Sequence, residues 1–187
     1  MDRKALILKV ATSLFAARGF EATSVRKIAG ESGLSVPGMF HYFTSKEEIL
    51  YEIMINFMED VYSNITDIIE SDNDPVRKLE QLCTCYVKKY THHQEELAIL
   101  NSEGKSLTPE HHKLFIRKQR IYVESMEQII SELAEKKIAK PLDYTIITFL
   151  FYGMVHWTTK WYDRNGDVSP EKLGEIVSEV FLHGVLK

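Results

Sequence analysis

A chain of 187 residues, of which 44% are hydrophobic and 27% are charged, has a globular composition and can bury a core in one domain or two small ones. Its net charge of −4 and its two cysteines exclude a strongly basic protein and a disulfide framework. Cys83 and Cys85 are two residues apart on a predicted helix, so they point in nearly opposite directions and suit neither a bridge nor a metal site.

Positive charge is concentrated at the N-terminal end. Residues 1–50 hold seven Lys or Arg and five Asp or Glu, a balance of +2, whereas the remainder holds sixteen and twenty-two, a balance of −6. Because the local field decides which surface attracts an anion, the N-terminal end is the candidate for contact with a polyanion. The N-terminus is charged and amphipathic rather than apolar, so we expect no signal peptide and a cytoplasmic protein.

The first elements in chain order predict a helix-turn-helix. Residues 3–18 form an amphipathic helix that Gly19 ends. Thr23 is predicted to cap a second helix over residues 24–31, and Gly33 supplies the turn. Ser35 is then predicted to cap a short third helix over residues 36–42. In this motif the later helix enters the major groove of DNA.

The side chains around this turn suit a nucleic-acid duplex. Two cations flank the turn, and hydroxyl and imidazole groups are available for phosphates and base edges. Gly38 would let the helix approach the groove, and Ser45 with Glu48 forms a capping box that opens the next helix. The predicted DNA-binding residues are Thr23, Ser24, Arg26, Lys27, Ser35, Val36, Pro37, Gly38, Phe40, His41, Tyr42, Thr44 and Lys46.

The rest of the chain is predicted to be helical. A long helix runs over residues 45–71, and further helices follow over residues 76–90, 94–103, 108–137, 142–162 and from Ser169 onward. The helix over residues 142–162 is apolar nearly all round, but it contains Asp143, His156 and Lys160, which favours a buried interface helix over a membrane span. With no strand pattern, the predicted fold is all-α with about nine helices.

The first quarter of the chain closely resembles the DNA-binding domain of TetR-family transcriptional repressors. The matching residues at the family's spacing are Phe15, Gly19, Phe20, Thr23, Ser24, Val25, Ile28, Ala29, Ser32, Gly33, Leu34, Ser35, Phe43, Ser45, Lys46, Glu47, Glu48 and Ile49. Two positions depart from the family pattern. Val36 stands where a polar residue is common, which suits a thymine methyl, and Phe40 replaces a usual tyrosine, which leaves Tyr42 and Lys46 as phosphate contacts.

The resemblance implies residues 1–47 as the DNA-binding domain and residues 48–187 as a ligand-binding and dimerisation domain. The family binds palindromic operators as dimers through the last two helices, and a small effector changes the spacing of the two DNA-binding heads. The apolar helix over residues 142–162 and the broad apolar stripe of the last helix suit a four-helix interface. The partners expected are therefore double-stranded DNA, a second copy and a small hydrophobic effector.

The C-terminal half is similar to the branch of the family that senses acyl-coenzyme A thioesters. The similarity lies in the segment SLTPEHHKLF and in a tryptophan-rich segment that ends in a Ser-Pro-Glu cap at Ser169. An apolar channel would hold the acyl chain, and cations would hold the nucleotide phosphates. The predicted ligand-binding residues are Phe57, Tyr86, Tyr90, Phe115, Arg117, Arg120, Tyr122, Met126, Phe149, Tyr152, Lys160 and Trp161.

Several alternatives stay open from the sequence. The aromatic residues suit an ordinary core as well as a pocket, and the cations suit a solvated surface. Lipophilic cations are the rival effector class, because Glu103 and Glu124 accompany the tyrosines. A DNA-binding protein without an effector is also compatible. An enzyme is not expected, because the histidine pairs lack metal-ligand spacing and there is no phosphate loop or nucleophile elbow. No cofactor, metal or catalytic residue is predicted.

Overall fold

Nine α-helices and one short 3₁₀ turn make up the chain within residues 2–187, which a computed structural model describes apart from the side chain of residue 159. The all-α prediction is confirmed: this range contains no β-strand, and it has one isolated bridge between Ala139 and Leu186. The helices are α1 (Arg3–Arg18), α2 (Val25–Glu31), α3 (Val36–Met39), α4 (Lys46–Glu70), α5 (Pro75–His92), α6 (Gln94–Ser102), α7 (Pro109–Glu135), α8 (Tyr144–Trp161) and α9 (Pro170–Val185).

Side-chain caps set where most of these helices begin. Asp74, Asp143 and Ser169 each accept a hydrogen bond from a backbone N–H in the first turn of α5, α8 and α9. Pro75 and Pro170 stand directly after a cap, where the missing N–H of proline leaves no bond unmade. The cap and the proline are both visible in the sequence, which is why the predicted helix starts agree with the structure to within a few residues.

The chain divides into two compact units. The first unit comprises the residues up to Met58 together with Glu95–Arg117, and the second comprises Glu59–Gln94 and Lys118–Lys187. The core of the first unit is formed by fully buried apolar side chains of α1 to α4 and of the turn between α3 and α4: Ile7, Phe15, Ile28, Met39, Phe43, Ile49 and Leu50. The domain boundary predicted after residue 47 stays a prediction.

The second unit is organised around α5, which packs against α8 and α9. Leu79, Tyr86 and Phe151 are fully buried there, and the rings of Phe151 and Phe181 lie 5.0 Å apart. Cys83 is buried and Cys85 is half-buried, and both are free thiols. None of the helices described within residues 2–187 is both long and apolar enough to span a membrane.

Candidate DNA-binding surface and ligand-binding residues

The turn between α2 and α3 has the geometry that the sequence predicts. Gly33 has a φ of 68°, and its N–H donates to the Gly30 carbonyl at 3.1 Å. The next N–H, that of Leu34, donates to the Ala29 carbonyl at 2.9 Å, which closes the turn. A positive φ favours glycine, because a Cβ in this region meets the following carbonyl oxygen.

Ser24, and not Thr23, caps α2. The Ser24 Oγ accepts a hydrogen bond from the Lys27 N–H at 3.2 Å, so the predicted cap was wrong by one residue. Thr23 is buried, and its hydroxyl donates to the Gly19 carbonyl at 2.9 Å. Both residues can cap a helix, but only Thr23 is placed to bond the end of α1, so the tertiary contact decides between them.

The recognition helix α3 is shorter than predicted. Ser35 caps it as predicted, because its Oγ accepts from the Gly38 N–H at 3.1 Å, but the helix ends at Met39 rather than at residue 42. The Tyr42 N–H bonds to the Met39 carbonyl at 2.9 Å, which makes a tight turn. That turn directs Phe43 into the core, where its side chain is 1% exposed. Phe43 is therefore buried beside Met39, and its N–H donates to the Met39 carbonyl at 3.3 Å.

A set of side chains around α2, α3 and the following turn faces solvent. Phe40 and Tyr42 are 45% and 39% exposed. The remaining exposed residues on this surface are Ser24, Arg26, Lys27, Ser35, Pro37, His41 and Thr44, and Val36 and Gly38 are half-buried. The Lys27 ammonium forms a 2.7 Å ion pair with Glu31 within α2. We call this set the α3 surface.

Two of the predicted phosphate-binding residues already have partners in the first unit. The Lys46 ammonium donates to the carbonyl oxygens of Phe20 and Thr23, at 2.9 and 3.1 Å, and lies 4.0 Å from the centre of the Phe20 ring. The Thr44 hydroxyl donates to Glu48 at 2.6 Å. This bond and the one from the Thr44 N–H hold the pKa of the Glu48 carboxyl below its usual range. Both contacts attach the start of α4 to the loop segments beside it.

Part of the segment 95–117 is bonded to the N-terminal helices within the first unit. The Phe20 N–H donates to Glu103 Oε1 at 3.4 Å, and the Ser106 hydroxyl donates to the other Glu103 oxygen at 3.1 Å. The His111 ring stacks on Tyr51 with centroids 3.9 Å apart. No sequence pattern pointed to these contacts, because their partners are up to 83 residues apart in the chain.

In the second unit, five predicted ligand-binding residues are buried: Tyr86, Tyr90, Tyr122, Met126 and Tyr152. The Tyr152 hydroxyl oxygen lies 2.8 Å from that of Tyr86 and 3.0 Å from the Tyr122 carbonyl oxygen. A hydroxyl has one proton, so Tyr152 donates to the carbonyl when Tyr86 donates to Tyr152. Burial raises the pKa of each tyrosine in this cluster, which therefore presents neutral polar groups inside an apolar core.

The other predicted ligand-binding residues do not join this cluster. Phe149 and Trp161 are 58% and 57% exposed, and Lys160 is exposed as well. Phe57, Phe115 and Arg117 belong to the first unit, where the two aromatic rings are buried and the arginine is exposed. Arg120 is exposed in the second unit. Helical spacing alone did not reveal which face of α8 packs on α5.

Comparison with known proteins decides the family. The description "Bacterial regulatory proteins, tetR family" matches residues 7–53, and "Tetracyclin repressor-like, C-terminal domain" matches residues 72–185, more than half of the chain. The chain belongs to the TetR family. It is accordingly a DNA-binding transcriptional regulator and not an enzyme.

Individual TetR-family relatives extend over almost the whole chain. The transcriptional repressor KstR2 of Mycobacterium tuberculosis is 26% identical over 100% of this chain and 94% of the relative. The structure of the ketosteroid transcriptional regulator KstR2 of M. tuberculosis has a TM-score of 0.92 at 23% identity, over 100% and 96% of the two chains. The regulator AibR in complex with isovaleryl coenzyme A and operator DNA has a TM-score of 0.85 at 25% identity, over 99% and 98%.

Each of the last two helices of this TetR-family chain exposes an apolar stripe. On α8 the stripe contains the large side chains Ile146, Phe149, Leu150, Met154, Trp157 and Trp161, and Trp157 is 65% exposed. On α9 Ile176 and Val180 are exposed. Large apolar groups of this number on adjacent helices are unusual on a monomer surface and mark an interaction site.

An open groove of about 720 Å³ along α5 was not predicted. Arg77, Lys88, Lys89, His92 and His93 contribute basic groups to it. The Lys89 ammonium pairs with Asp60 at 2.7 Å, the Lys88 ammonium with Glu171 at 3.5 Å, and Arg77 with Glu80. Because carboxylates accompany these cations, the groove carries little net charge.

Proposed function

We propose that this protein is a dimeric repressor that binds a palindromic operator and is released by a small hydrophobic effector, with acyl-coenzyme A as the favoured class. Residues 1–47 would bind the operator, and residues 48–187 would hold the effector and the second subunit. Such a repressor acts in the cytoplasm, on the chromosome. The observation that carries the proposal is the α3 surface, on which a serine-capped helix and exposed polar and aromatic side chains face solvent together.

The DNA-binding part is supported by chemistry as well as by family. The α3 surface offers Arg26 for phosphates and His41 and Tyr42 as hydrogen-bonding groups, and all three are exposed. The relative AibR is described in complex with operator DNA. Helix-turn-helix dimers place two such helices in successive major grooves, so the operator is expected to have two half-sites one helical turn apart, or a multiple of a turn.

The dimer is supported by the exposed apolar stripes of α8 and α9. A second copy would cover them, because a two-fold interface buries the same patch on both subunits. Leu150→Glu and Trp157→Glu place a charge within the stripe and are expected to convert the dimer to a monomer in light-scattering measurements. Ile121→Glu on α7, also an exposed apolar position, is the matched control and is expected to remain dimeric. A dimer that persists in both stripe variants would refute this interface.

The effector is supported by the buried tyrosine cluster. Its aromatic rings would contact the acyl chain, and its hydroxyls would bind a carbonyl group of that chain. The exposed cations of the second unit, Arg120 and Lys160, are proposed to contact the nucleotide and its phosphates. AibR is described in complex with isovaleryl coenzyme A, which is a thioester, and KstR2 is described as a ketosteroid transcriptional regulator.

The rival class, lipophilic cations, needs an available carboxylate near the tyrosines. Glu103 is a poor candidate, because both of its oxygens accept hydrogen bonds within the first unit. Glu124 remains, and it is exposed. Acyl-coenzyme A is therefore the better-supported effector.

Melting temperatures with and without ligand test the proposal. A ligand that binds only the folded state, present at a hundred times its dissociation constant, adds about 2.7 kcal/mol of stability. For a protein of this size that corresponds to a rise of several degrees. We expect this rise with acyl-coenzyme A esters but not with free coenzyme A, together with release of a bound duplex. Stabilisation by lipophilic cations alone would transfer the protein to the drug-responsive class, and a duplex that no ligand releases would indicate an effector-independent protein.

A further inference from the structure

The outward face of α3 is mainly apolar. Phe40 directly follows α3, and its N–H donates to the Val36 carbonyl at 3.2 Å, which places the two residues on the same side of this segment. Phe40 is 45% exposed and Val36 is half-buried, and the exposed Pro37 lies beside them. Met39, which is fully buried, holds the other side of the helix against the core. Exposed hydrogen-bonding side chains are left to the two ends of this face, with Ser35 before it and His41 and Tyr42 after it.

The Ser35 hydroxyl at the start of α3 already accepts a hydrogen bond within the helix. The Ser35 Oγ accepts the Gly38 N–H at 3.1 Å, and a Cβ at position 38 would lie 3.1 Å from that oxygen. A side chain at position 38 would therefore crowd the Ser35 cap, which favours glycine there. The centre of the outward face consists of Val36, Pro37 and Phe40. The phenylalanine side chain has no hydrogen-bond donor, so Phe40 cannot donate a hydrogen bond to a phosphate or to a base edge.

We propose that Val36 and Phe40 read the 5-methyl groups of thymines in the major groove of the operator. Among the four bases, only thymine presents a methyl group on that groove, and apolar side chains are its complement. This pair would therefore select thymine over cytosine at the contacted positions by burial of apolar surface rather than by a hydrogen bond. The inference rests on the proposed operator binding and names the chemical feature of the operator that this helix recognises.

Deoxyuridine tests the inference directly, because it keeps every hydrogen-bonding group of thymidine and lacks the methyl. Duplexes are first selected from a randomised pool with the wild-type protein. Thymidines of the selected duplex are then replaced by deoxyuridine, singly and in both half-sites, and dissociation constants are measured by fluorescence anisotropy at one salt concentration. Burial of one methyl group corresponds to about a fourfold effect, so we expect about fourfold weaker binding per methyl and about sixteenfold for a symmetric pair.

The variants show whether the two residues cause the effect. Val36→Ala and Phe40→Ala are expected to bind the thymidine and deoxyuridine duplexes with more nearly equal affinity at the base pair that each contacts. Leu114→Ala removes a side chain of similar exposure, 41%, from α7 in the same compact unit. It is the matched control and is expected to keep the full wild-type preference for thymidine.

The possible outcomes distinguish recognition of thymine methyl groups from operator binding itself. If the wild-type protein binds the thymidine and deoxyuridine duplexes with equal affinity, the proposed recognition of thymine methyl groups is wrong, and no variant is needed to show it. A wild-type preference that persists unchanged in Val36→Ala and in Phe40→Ala also overturns it, because the methyl would then act through other residues or through DNA shape. A pool from which no duplex is enriched overturns the proposed operator binding itself, whereas enrichment without methyl dependence overturns only this inference.

Discussion

Replacing Lys46 by methionine separates two roles for the ammonium group at the start of α4. The structure gives that group two backbone carbonyls, those of Phe20 and Thr23, and the face of the Phe20 ring. Methionine keeps most of the apolar stem and removes the charge and both hydrogen bonds. Net losses for hydrogen bonds to charged groups lie near 1.5–3 kcal/mol when buried, and Lys46 is half-buried, so we expect a total loss of about 2 kcal/mol in the free energy of unfolding.

Thermal unfolding measures this loss. For a chain of this size, about 2 kcal/mol corresponds to a fall in melting temperature of about 4 to 8 °C. Lys9→Met is the matched control, since Lys9 is an exposed cation of α1, and its melting temperature is expected to stay close to that of the wild type. Operator affinity is also expected to fall, because the loop between α1 and α2 and the start of α4 are no longer attached through this group.

The salt dependence of operator binding separates positioning from direct contact. Each phosphate contact contributes about 0.9 to the slope of the logarithm of affinity against the logarithm of salt concentration. If Lys46 positions the loop, the slope of Lys46→Met stays near the wild-type value while the melting temperature falls. An unchanged melting temperature with a slope reduced by about one unit would refute this reasoning and restore Lys46 as a phosphate ligand.

Three further predictions concern the same two units. Tyr42→Ala should weaken operator binding by about 1 kcal/mol, or roughly fivefold, in an anisotropy titration without changing helix content, and normal binding would remove Tyr42 from the contact set. Gly33→Ala should lower the free energy of unfolding by about 1 kcal/mol in urea titrations, because the turn requires a φ of 68°, whereas Gly30→Ala in α2 should not destabilise the protein. Burial lowers the pKa of His156 to about 4, below its unfolded value. The free energy of unfolding should therefore be highest above about pH 6.5 and should decline as the pH falls toward 4, because the unfolded state then binds a proton that the folded state does not. In urea titrations, a His156→Phe variant should show a smaller decline over that interval.

Local chemistry explains what the sequence predicted correctly. The caps at Ser35 and Ser169, the prolines that follow and the positive φ at Gly33 depend on neighbouring residues in the chain. The family pattern adds the order of the elements, and the nine helices follow. The DNA-binding residues could be nominated for the same reason, since the α3 surface is built from residues within about 20 positions of one another.

Long-range contacts explain what the sequence could not predict. From the sequence alone, Thr23 and Ser24 are equally good helix caps, and only the hydrogen bond from the Thr23 hydroxyl to the Gly19 carbonyl distinguishes them. Glu103 likewise resembles an ordinary surface carboxylate in the sequence, whereas in the structure it accepts a hydrogen bond from the Phe20 N–H. The ligand-binding residues stay a prediction, and the same limit applies to their burial. A stripe at 3.6 spacing shows that a helix has faces but not which residues pack on α5, so the sequence did not reveal that Tyr152 is buried whereas Phe149 is 58% exposed.

The short recognition helix shows how packing can set the residues available for DNA. Phe43 enters the core of the first unit, and the turn that takes it there ends α3 at Met39. Had the helix continued to residue 42 as predicted, Phe40, His41 and Tyr42 would have been spread around one helical surface at about 100° intervals. In the tight turn, Phe40 and Tyr42 are instead both exposed next to the end of α3. Phe43 anchors the segment that follows α3 in the core, so we expect Phe43→Ala to change how Phe40 and Tyr42 are presented and to weaken operator binding in an anisotropy titration, although it removes no exposed group.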